Sequence, residues 1–465
     1  MLRPRHSQDP RDLERAVYEP APAPAASRPL HRTFSAGLVD SALASLATFA
    51  AALVANRWFD TATLGVFGLF FMGFVVAATV PAQLILAPAE VALLPRPAVR
   101  QLGELSATLR LGAGTAAASA LVMTAVVWAL APLFGPLHGV ELAPLALTCG
   151  AFTLLSPLQD HIRRMAHQVH RSSLAAAVSV VQAGAVLCVV AGLLWLGVSK
   201  LWAPFGALAA ANLVSGAVGY ALLRRGLHGA PARSVLRRSD LTGSGRWLLL
   251  SGSLDNLFGF LGVFALGVLS SGRAAGQFEA ARQLSQPLVV VATGMTNVLR
   301  PRLVGAGQRG DRRLAGRLRR PFLLGLGAAT ALYGAAVGFA WPLNPLPELF
   351  PSAYARTGLL AAFVVGVFLN NVSPLFRSEL VGGSRERELC GVSAIGGASY
   401  LALVCALAGA LGPMAGAVGL IAGRPLEFWA LRAALRRLYQ PSRPQPAPER
   451  TLRRARLEAP GAGRW

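Results

Sequence analysis

The sequence predicts an all-α membrane protein of twelve transmembrane helices, arranged as two pseudo-symmetric six-helix lobes around a central cavity. Three observations predict this fold: the composition, the number of long apolar runs, and the distribution of arginine between the loops. Apolar residues make up 54% of the 465 residues and charged residues only 14%, whereas soluble domains carry roughly 25% charged residues. A soluble fold of this size would need more polar surface.

Twelve apolar runs approach the length of about 20 residues that crosses a bilayer as a helix. The fourth and eighth runs are short and flanked by polar residues. The first half holds Phe34–Ala55, Leu64–Leu86, Leu109–Ala131, Leu142–Leu158, Leu174–Leu196 and Leu201–Leu223. The second half holds Leu248–Leu269, Ala280–Val298, Pro321–Ala340, Gly358–Phe376, Cys390–Leu411 and Met414–Leu435.

The basic residues test this count independently, because positive residues are retained on the cytoplasmic side of a membrane. Both tails and every second loop hold nearly all the arginines. The opposite side holds only Arg57, Lys200, Arg273, Arg282 and Arg356. This asymmetry predicts an even number of helices with both termini in the cytoplasm.

A short internal repeat predicts the division into two lobes. Gly37-Leu-Val-Asp40 opens the first helix and Gly252-Ser-Leu-Asp255 opens the seventh. Because each half has six helices, the repeat axis is expected along the membrane normal. The predicted domains are a disordered cytoplasmic tail (1–33), an N-lobe (34–223), a cytoplasmic linker (224–246), a C-lobe (247–435) and a basic cytoplasmic tail (436–465).

The sequence predicts a transporter rather than an enzyme. It contains no HExxH motif, no paired loop carboxylates and no CxxC, and its four cysteines lie in apolar runs. We therefore expect no catalytic residues, no metal and no cofactor. The net charge of +23 is distributed by membrane side, so no nucleic-acid partner is expected.

Polar residues inside the apolar runs are the candidate substrate-cavity residues. A charge at a helix centre costs about 2.5–3.5 kcal/mol on insertion scales, so such residues usually face a cavity or a partner. Arg424 and Glu427 are spaced to neutralise one another, and Arg282 can instead reach the headgroups or pair with Glu279. The predicted cavity residues are Arg282, Asp40, Asp255, Asn256, Asn370, Arg424 and Glu427.

A basic stretch follows the fourth apolar run and is predicted as an inner loop. It carries His161, His167 and His170 among arginines, which would repel a metal cation. A solvated surface for anionic lipid headgroups and a contact for an incoming pyrophosphate both remain open. The predicted residues of this cytoplasmic entrance are Gln159, Asp160, Arg163 and Arg164.

Three stretches, at 40–94, 158–184 and 274–303, resemble bacterial polysaccharide flippases of the O-antigen type. These belong to the multidrug/oligosaccharidyl-lipid/polysaccharide exporter superfamily. Within the second stretch, Gln159, Asp160 and Arg163 match a pattern of the actinobacterial branch. In the third, Arg282 stands five residues before Pro287, as in lipid II flippases. Lipid II flippases have fourteen helices and further cavity arginines that are not matched here, so lipid II is not the expected substrate.

The resemblance implies a transporter in the bacterial inner membrane that flips an undecaprenyl-pyrophosphate-linked oligosaccharide to the outer leaflet for surface polysaccharide synthesis. The implied partners are the lipid-linked glycan, membrane lipids, a glycan polymerase and other envelope assembly proteins. A cation-coupled multidrug or small-molecule exporter of the same fold is the alternative, with Asp40, Asp255 and Glu427 as its acidic groups. A scaffold of envelope assembly that transports nothing is the third hypothesis.

Overall fold

The computed structural model describes residues 30–58, 61–131, 141–198, 200–225, 236, 238–271 and 285–338, parts of 274–282, and 357–440. These residues form helices and turns. The long helices are α1 (Leu30–Trp58), α2 (Thr61–Pro81 continued by Ala82–Leu86 and Ala87–Leu93), α3 (Leu105–Leu130), α4 (Leu142–Gln168), α5 (Ser172–Trp195), α6 (Trp202–Arg224), α7 (Arg238–Leu269), α8 (Gln286–Gln308), α9 (Arg312–Gly338), α10 (Thr357–Gly382), α11 (Glu386–Leu411) and α12 (Met414–Tyr439).

Composition and turn chemistry explain these elements. Eight of the described helices are long and apolar enough to cross a membrane, which confirms a multi-pass membrane protein. The middle part of α2, Ala82–Leu86, is a π-helical turn. Gly310 between α8 and α9 and Gly412 between α11 and α12 have positive φ angles of 63° and 55°. Glycine is the residue that adopts this backbone conformation without steric cost, so both hairpins can turn sharply.

The packing repeats from one half to the other. Helix α1 packs against α5 as α7 packs against α11, and α4 packs against α6 as α10 packs against α12. Each half also has its own apolar core, with Phe74, Phe152 and Phe205 in the first and Phe278 and Phe363 in the second. The predicted all-α, two-lobe arrangement of twelve helices agrees with this structure.

The lobes meet at the end where α1 and α7 begin, which we call the proximal end; the opposite end is the distal end. There α1 crosses α8 so closely that a Cβ on Gly37 would lie 2.9 Å from the carbonyl oxygen of Gly294. The related crossing brings α7 against α2, where a Cβ on Gly245 would overlap the carbonyl oxygen of Leu84. Small residues allow helices to approach this closely.

Several helices continue beyond their predicted proximal ends. Helix α4 runs to Gln168, ten residues past the predicted boundary, so the prediction of a loop there was wrong. Helix α8 likewise reaches Gln308, and α7 begins at Arg238, inside the predicted linker. Hydropathy detects only the apolar part of such a helix. The polar residues beyond it remain helical because they contact other residues of the protein. The predicted tails up to residue 29 and from 441 lie outside the described residues.

Candidate functional site

The N-lobe cluster is a buried polar network centred on Asp40 of α1, whose side chain is fully buried. Arg163 of α4 holds both carboxylate oxygens, with Nε 3.1 Å from Oδ1 and Nη2 3.0 Å from Oδ2. His167 Nε2 lies 2.9 Å from Oδ2 and Ser179 of α5 donates to Oδ1 at 2.6 Å. Asp160 also contacts Arg163, at 2.9 Å. A buried carboxylate with this many donors is well satisfied.

A second polar network of the N-lobe is a chain of amides that joins α4, α5 and α6. Gln159 of α4 donates to Gln182 of α5 at 3.3 Å, and Gln182 donates to Asn212 of α6 at 2.7 Å. All three side chains are buried. The predicted entrance residue Gln159 therefore faces the interior of the N-lobe.

The C-lobe cluster is a second polar network, centred on Arg377 of α10. Its guanidinium binds both carboxylate oxygens of Asp255 on α7 and contacts Oε1 of Glu427 on α12 at 2.7 Å. Glu427 is fully buried and also accepts from Ser373 and from Arg424. The spacing of Arg424 and Glu427 predicted their mutual neutralisation, and the two do form an ion pair.

Arg377 is the residue that the sequence analysis missed. It follows the predicted end of the tenth apolar run at Phe376 and was therefore assigned to a loop, whereas α10 continues to Gly382. A second repeat could have revealed it: Ser156-Pro-Leu158 of α4 and Ser373-Pro-Leu375 of α10 share the same three residues. With these aligned, Arg163 and Arg377 fall about one turn apart, on the same helix face.

Between the lobes at the proximal end lies a cleft, which we call the proximal cleft. It is lined by Glu90, Val91, Leu94, Arg164, Gln168, Asn297, Arg300, Pro301 and Val304. The Glu90 carboxylate of α2 contacts His161 Nδ1 at 3.0 Å within its own lobe and Arg300 Nη1 of α8 at 3.9 Å across the interface. His161 Nε2 in turn lies 2.9 Å from the Thr108 hydroxyl.

The histidines do not form the loop surface that the sequence predicts. His161 and His167 are buried in α4, each beside a carboxylate. Only His170 lies in the turn after α4, where burial and then the charge of Arg302 lower its pKa. Among the residues that the structure describes, no group of three His, Cys, Asp or Glu side chains is placed to hold a metal ion.

The remaining predicted site residues are scattered. Asn256 of α7 donates to the Thr79 hydroxyl of α2 at 3.1 Å, a bond between the lobes. Asn370 is exposed on α10. Arg282 is exposed in the segment before α8, and its carbonyl oxygen accepts from Ser285 at 2.8 Å. The structure does not bring these residues into one cluster. Glu279, the expected partner of Arg282, lies outside the described residues.

Comparison with known proteins adds family and fold to this geometry. A protein family described as "Polysaccharide biosynthesis protein" matches residues 109–305. The fold matches a MOP superfamily transporter from Pyrococcus furiosus Vc1, with a TM-score of 0.67 and 15% identity over 88% of this chain and 96% of that one. The family match covers less than half of the chain and agrees with the resemblance found in the sequence.

Two further structures share the fold. The Vibrio cholerae MATE transporter VcmN has a TM-score of 0.66 and 16% identity over 88% of this chain and 97% of its own. A MATE transporter in complex with MaD3S has a TM-score of 0.68 and 13% identity over 87% and 95% of the two chains. No curated protein sequence matches this chain. At these identities the structures establish the fold alone, and the function has to be inferred from the polar clusters.

Proposed function

We propose that this protein flips an undecaprenyl-pyrophosphate-linked oligosaccharide from the inner to the outer leaflet of the bacterial inner membrane, for surface polysaccharide synthesis. Transport would proceed by rocking of the two lobes, which alternately opens the proximal and distal ends. A glycan polymerase and other envelope assembly proteins are the partners expected at the outer side.

The observation that carries this proposal is the pairing of every candidate cation-binding carboxylate with arginine. Arg163 holds Asp40, while Arg377 holds Asp255 and Glu427. A coupling cation would have to displace a guanidinium and leave its charge unpaired in a largely buried site. Breaking a buried pair in this way costs about 3–5 kcal/mol. The acidic groups are thus poorly suited to the cation-coupled exporter, although the MATE fold is compatible with that alternative.

Arginines and amides outside these carboxylate pairs suit a phosphorylated sugar lipid. Arginine binds phosphate through two parallel, charge-assisted hydrogen bonds. Buried amides such as Gln182 and Asn212 show that the lobes tolerate uncharged polar groups inside the bilayer. Amides of this kind, including the exposed Asn370, are suited to form hydrogen bonds with sugar hydroxyls.

Deletion of the gene tests the proposal. We expect the deletion strain to lose a surface polysaccharide and to accumulate lipid-linked oligosaccharide, measured by lipid extraction and mass spectrometry. A plasmid copy should restore both readouts. A strain that keeps its surface glycans but becomes sensitive to cationic dyes would favour the exporter, and a strain with neither change would favour the scaffold.

The proposed orientation can be tested with single cysteines in a variant that lacks the native ones. Arg309→Cys lies in the turn between α8 and α9 at the proximal end, and Lys200→Cys lies at the distal end beside Glu141. In intact cells, a membrane-impermeant thiol reagent should label position 200 and leave position 309 unlabelled. Labelling of position 309 without cell lysis would reverse the assignment of the proximal end to the cytoplasm.

A further inference from the structure

The proximal cleft carries more positive charge than its own residues neutralise. Among its described lining residues it holds two arginines, Arg164 of the N-lobe and Arg300 of the C-lobe, but a single carboxylate, Glu90. Glu90 is already bonded to His161 at 3.0 Å, and its contact with Arg300 is a long one, 3.9 Å. Arg164 makes no hydrogen bond or ion pair with any residue that the structure describes.

The two guanidiniums line the same cleft from opposite sides of the lobe interface. Both act electrostatically on the Glu90 carboxylate, and Arg164 also acts on Arg300. Each side chain is only partly exposed. Like charges opposed across an interface repel one another, and the repulsion is weakly screened where water is partly excluded. An anion placed between the two arginines would remove this repulsion.

We propose that the proximal cleft binds a phosphate-class anion between Arg164 and Arg300, and that its physiological ligand is the diphosphate of the lipid-linked substrate. The identity of that ligand rests on the proposed flippase function, whereas the anion site itself rests on the cleft. Two guanidinium forks match the oxygens of a diphosphate, and the Asn297 side-chain amide lines the same cleft.

Arg163, the neighbouring arginine, does not take part. Asp40 occupies its guanidinium through two hydrogen bonds, although the sequence placed Arg163 at the entrance together with Arg164. Glu90 acts as an internal competitor, because it neutralises Arg300 while the cleft is empty. When the anion binds, Arg300 exchanges Glu90 for a phosphate oxygen and Glu90 keeps its contact with His161.

Binding of inorganic pyrophosphate to the purified full-length protein, measured by calorimetry at constant ionic strength, tests the site. We expect Arg164→Gln and Arg300→Gln each to weaken binding at least tenfold. Arg110→Gln is the matched control, because Arg110 is an exposed arginine at the same end that contacts only the Ser106 carbonyl oxygen, at 3.3 Å. Glu90→Gln should tighten binding several-fold, a gain that a purely structural role of the arginines would not produce.

Lysine variants and competition measurements complete the test. If a glutamine variant does not fold, Arg164→Lys and Arg300→Lys retain the charge without the fork and should weaken binding several-fold. A short-chain isoprenyl diphosphate should compete with pyrophosphate, and vesicles of phosphatidylglycerol should not. Equal binding by Arg164→Gln and Arg110→Gln would overturn the site. Competition by phosphatidylglycerol would overturn the substrate assignment. Loss of pyrophosphate binding leaves the glycan phenotype of the deletion strain unaffected, so the two proposals fail separately.

Discussion

The two lobes hold the same pair of charges in different surroundings. In each lobe an aspartate from the first helix binds an arginine from the fourth, Asp40 with Arg163 and Asp255 with Arg377. The Asp40 side chain is 0% exposed, and the Asp255 side chain is 39% exposed. His167 and Ser179 complete the coordination of Asp40. The second acid on the arginine is the partly exposed Asp160 in the N-lobe and the fully buried Glu427 in the C-lobe.

From this difference we propose that the two pairs serve different purposes. The N-lobe cluster is closed by its own helices, so it holds α1, α4 and α5 together. The C-lobe cluster is open at Asp255, the carboxylate of its first helix, so its charges can be rearranged. We therefore expect substitutions in the first cluster to reduce stability and substitutions in the second to reduce transport.

The largest effect is expected from Arg163→Gln. It leaves Asp40 charged and fully buried without its main partner, which should lower the free energy of unfolding by about 3–5 kcal/mol. Thermal unfolding of the purified protein in detergent measures this loss. The double variant Asp40→Asn with Arg163→Gln should recover much of it, because no unpaired charge remains. An unchanged unfolding midpoint in Arg163→Gln would show that the pair contributes little.

Arg377→Gln should instead fold and fail to transport. Asp255 can turn to solvent, and Glu427 keeps Arg424 and Ser373 as donors, so the loss of stability should be smaller than in Arg163→Gln. We expect at least a tenfold loss of surface polysaccharide in the complemented deletion strain. Arg385→Gln, which removes an exposed arginine paired with Glu388, should have normal activity. Normal activity of Arg377→Gln at normal protein levels would contradict a functional role for the C-lobe cluster.

Arg282 tests whether the distal end also contributes. The family resemblance places it at the start of a cavity-facing helix. We expect Arg282→Ala to be inactive and Arg282→Lys to be folded but impaired, because lysine lacks the planar two-donor fork. A side chain that only reaches the headgroups would tolerate lysine. Complementation at matched protein levels distinguishes these outcomes, and full activity of the alanine variant would remove Arg282 from the site.

The smallest effect concerns two glycines of α7, at and beside its crossing with α2. A Cβ on Gly245 would overlap the Leu84 carbonyl oxygen, while a Cβ on Gly243 of the same helix meets nothing within 4 Å. Gly245→Ala should lower the free energy of unfolding by about 1–3 kcal/mol, as overpacking does. Gly243→Ala should raise it by up to about 1 kcal/mol through helix propensity. Thermal unfolding of both variants tests the contact; equal midpoints would mean that the lobes are not in backbone contact there.

Hydropathy and the distribution of arginine predicted the helices, because the bilayer constrains which residues can occur at each point along the sequence. The polar clusters were harder to predict, because their partners are distant in sequence. Asp40 and Arg163 meet because α1 and α4 both pack against α5. Sequence analysis found the acids as charges inside apolar runs. It assigned the arginines to loops, since Arg163 and Arg377 follow the points at which the hydropathy declines.

The proximal cleft could not be predicted for a related reason. Glu90, Arg164 and Arg300 come from three helices in two lobes, and no pattern within one helix indicates that they meet. Arg164 was predicted as an entrance residue on its charge and position after the fourth apolar run. Its position beside Arg300 depends on how α1 crosses α8. The positions of the glycines in the sequence do not by themselves specify that crossing.

The glycine crossings have a consequence for the kinetics of the proposed rocking. A Cβ on Gly37 would lie 2.9 Å from the Gly294 carbonyl oxygen, and one on Gly294 would lie 2.8 Å from that of Gly37. Lipid supplies no hydrophobic force that would pull these helices together. Dispersion attraction declines steeply once atoms separate by an ångström. The two lobes would therefore be either in contact or separated at this interface, with few stable intermediate separations. Single-molecule distance measurements across the proximal end should then show two discrete populations that exchange abruptly, rather than one broad distribution.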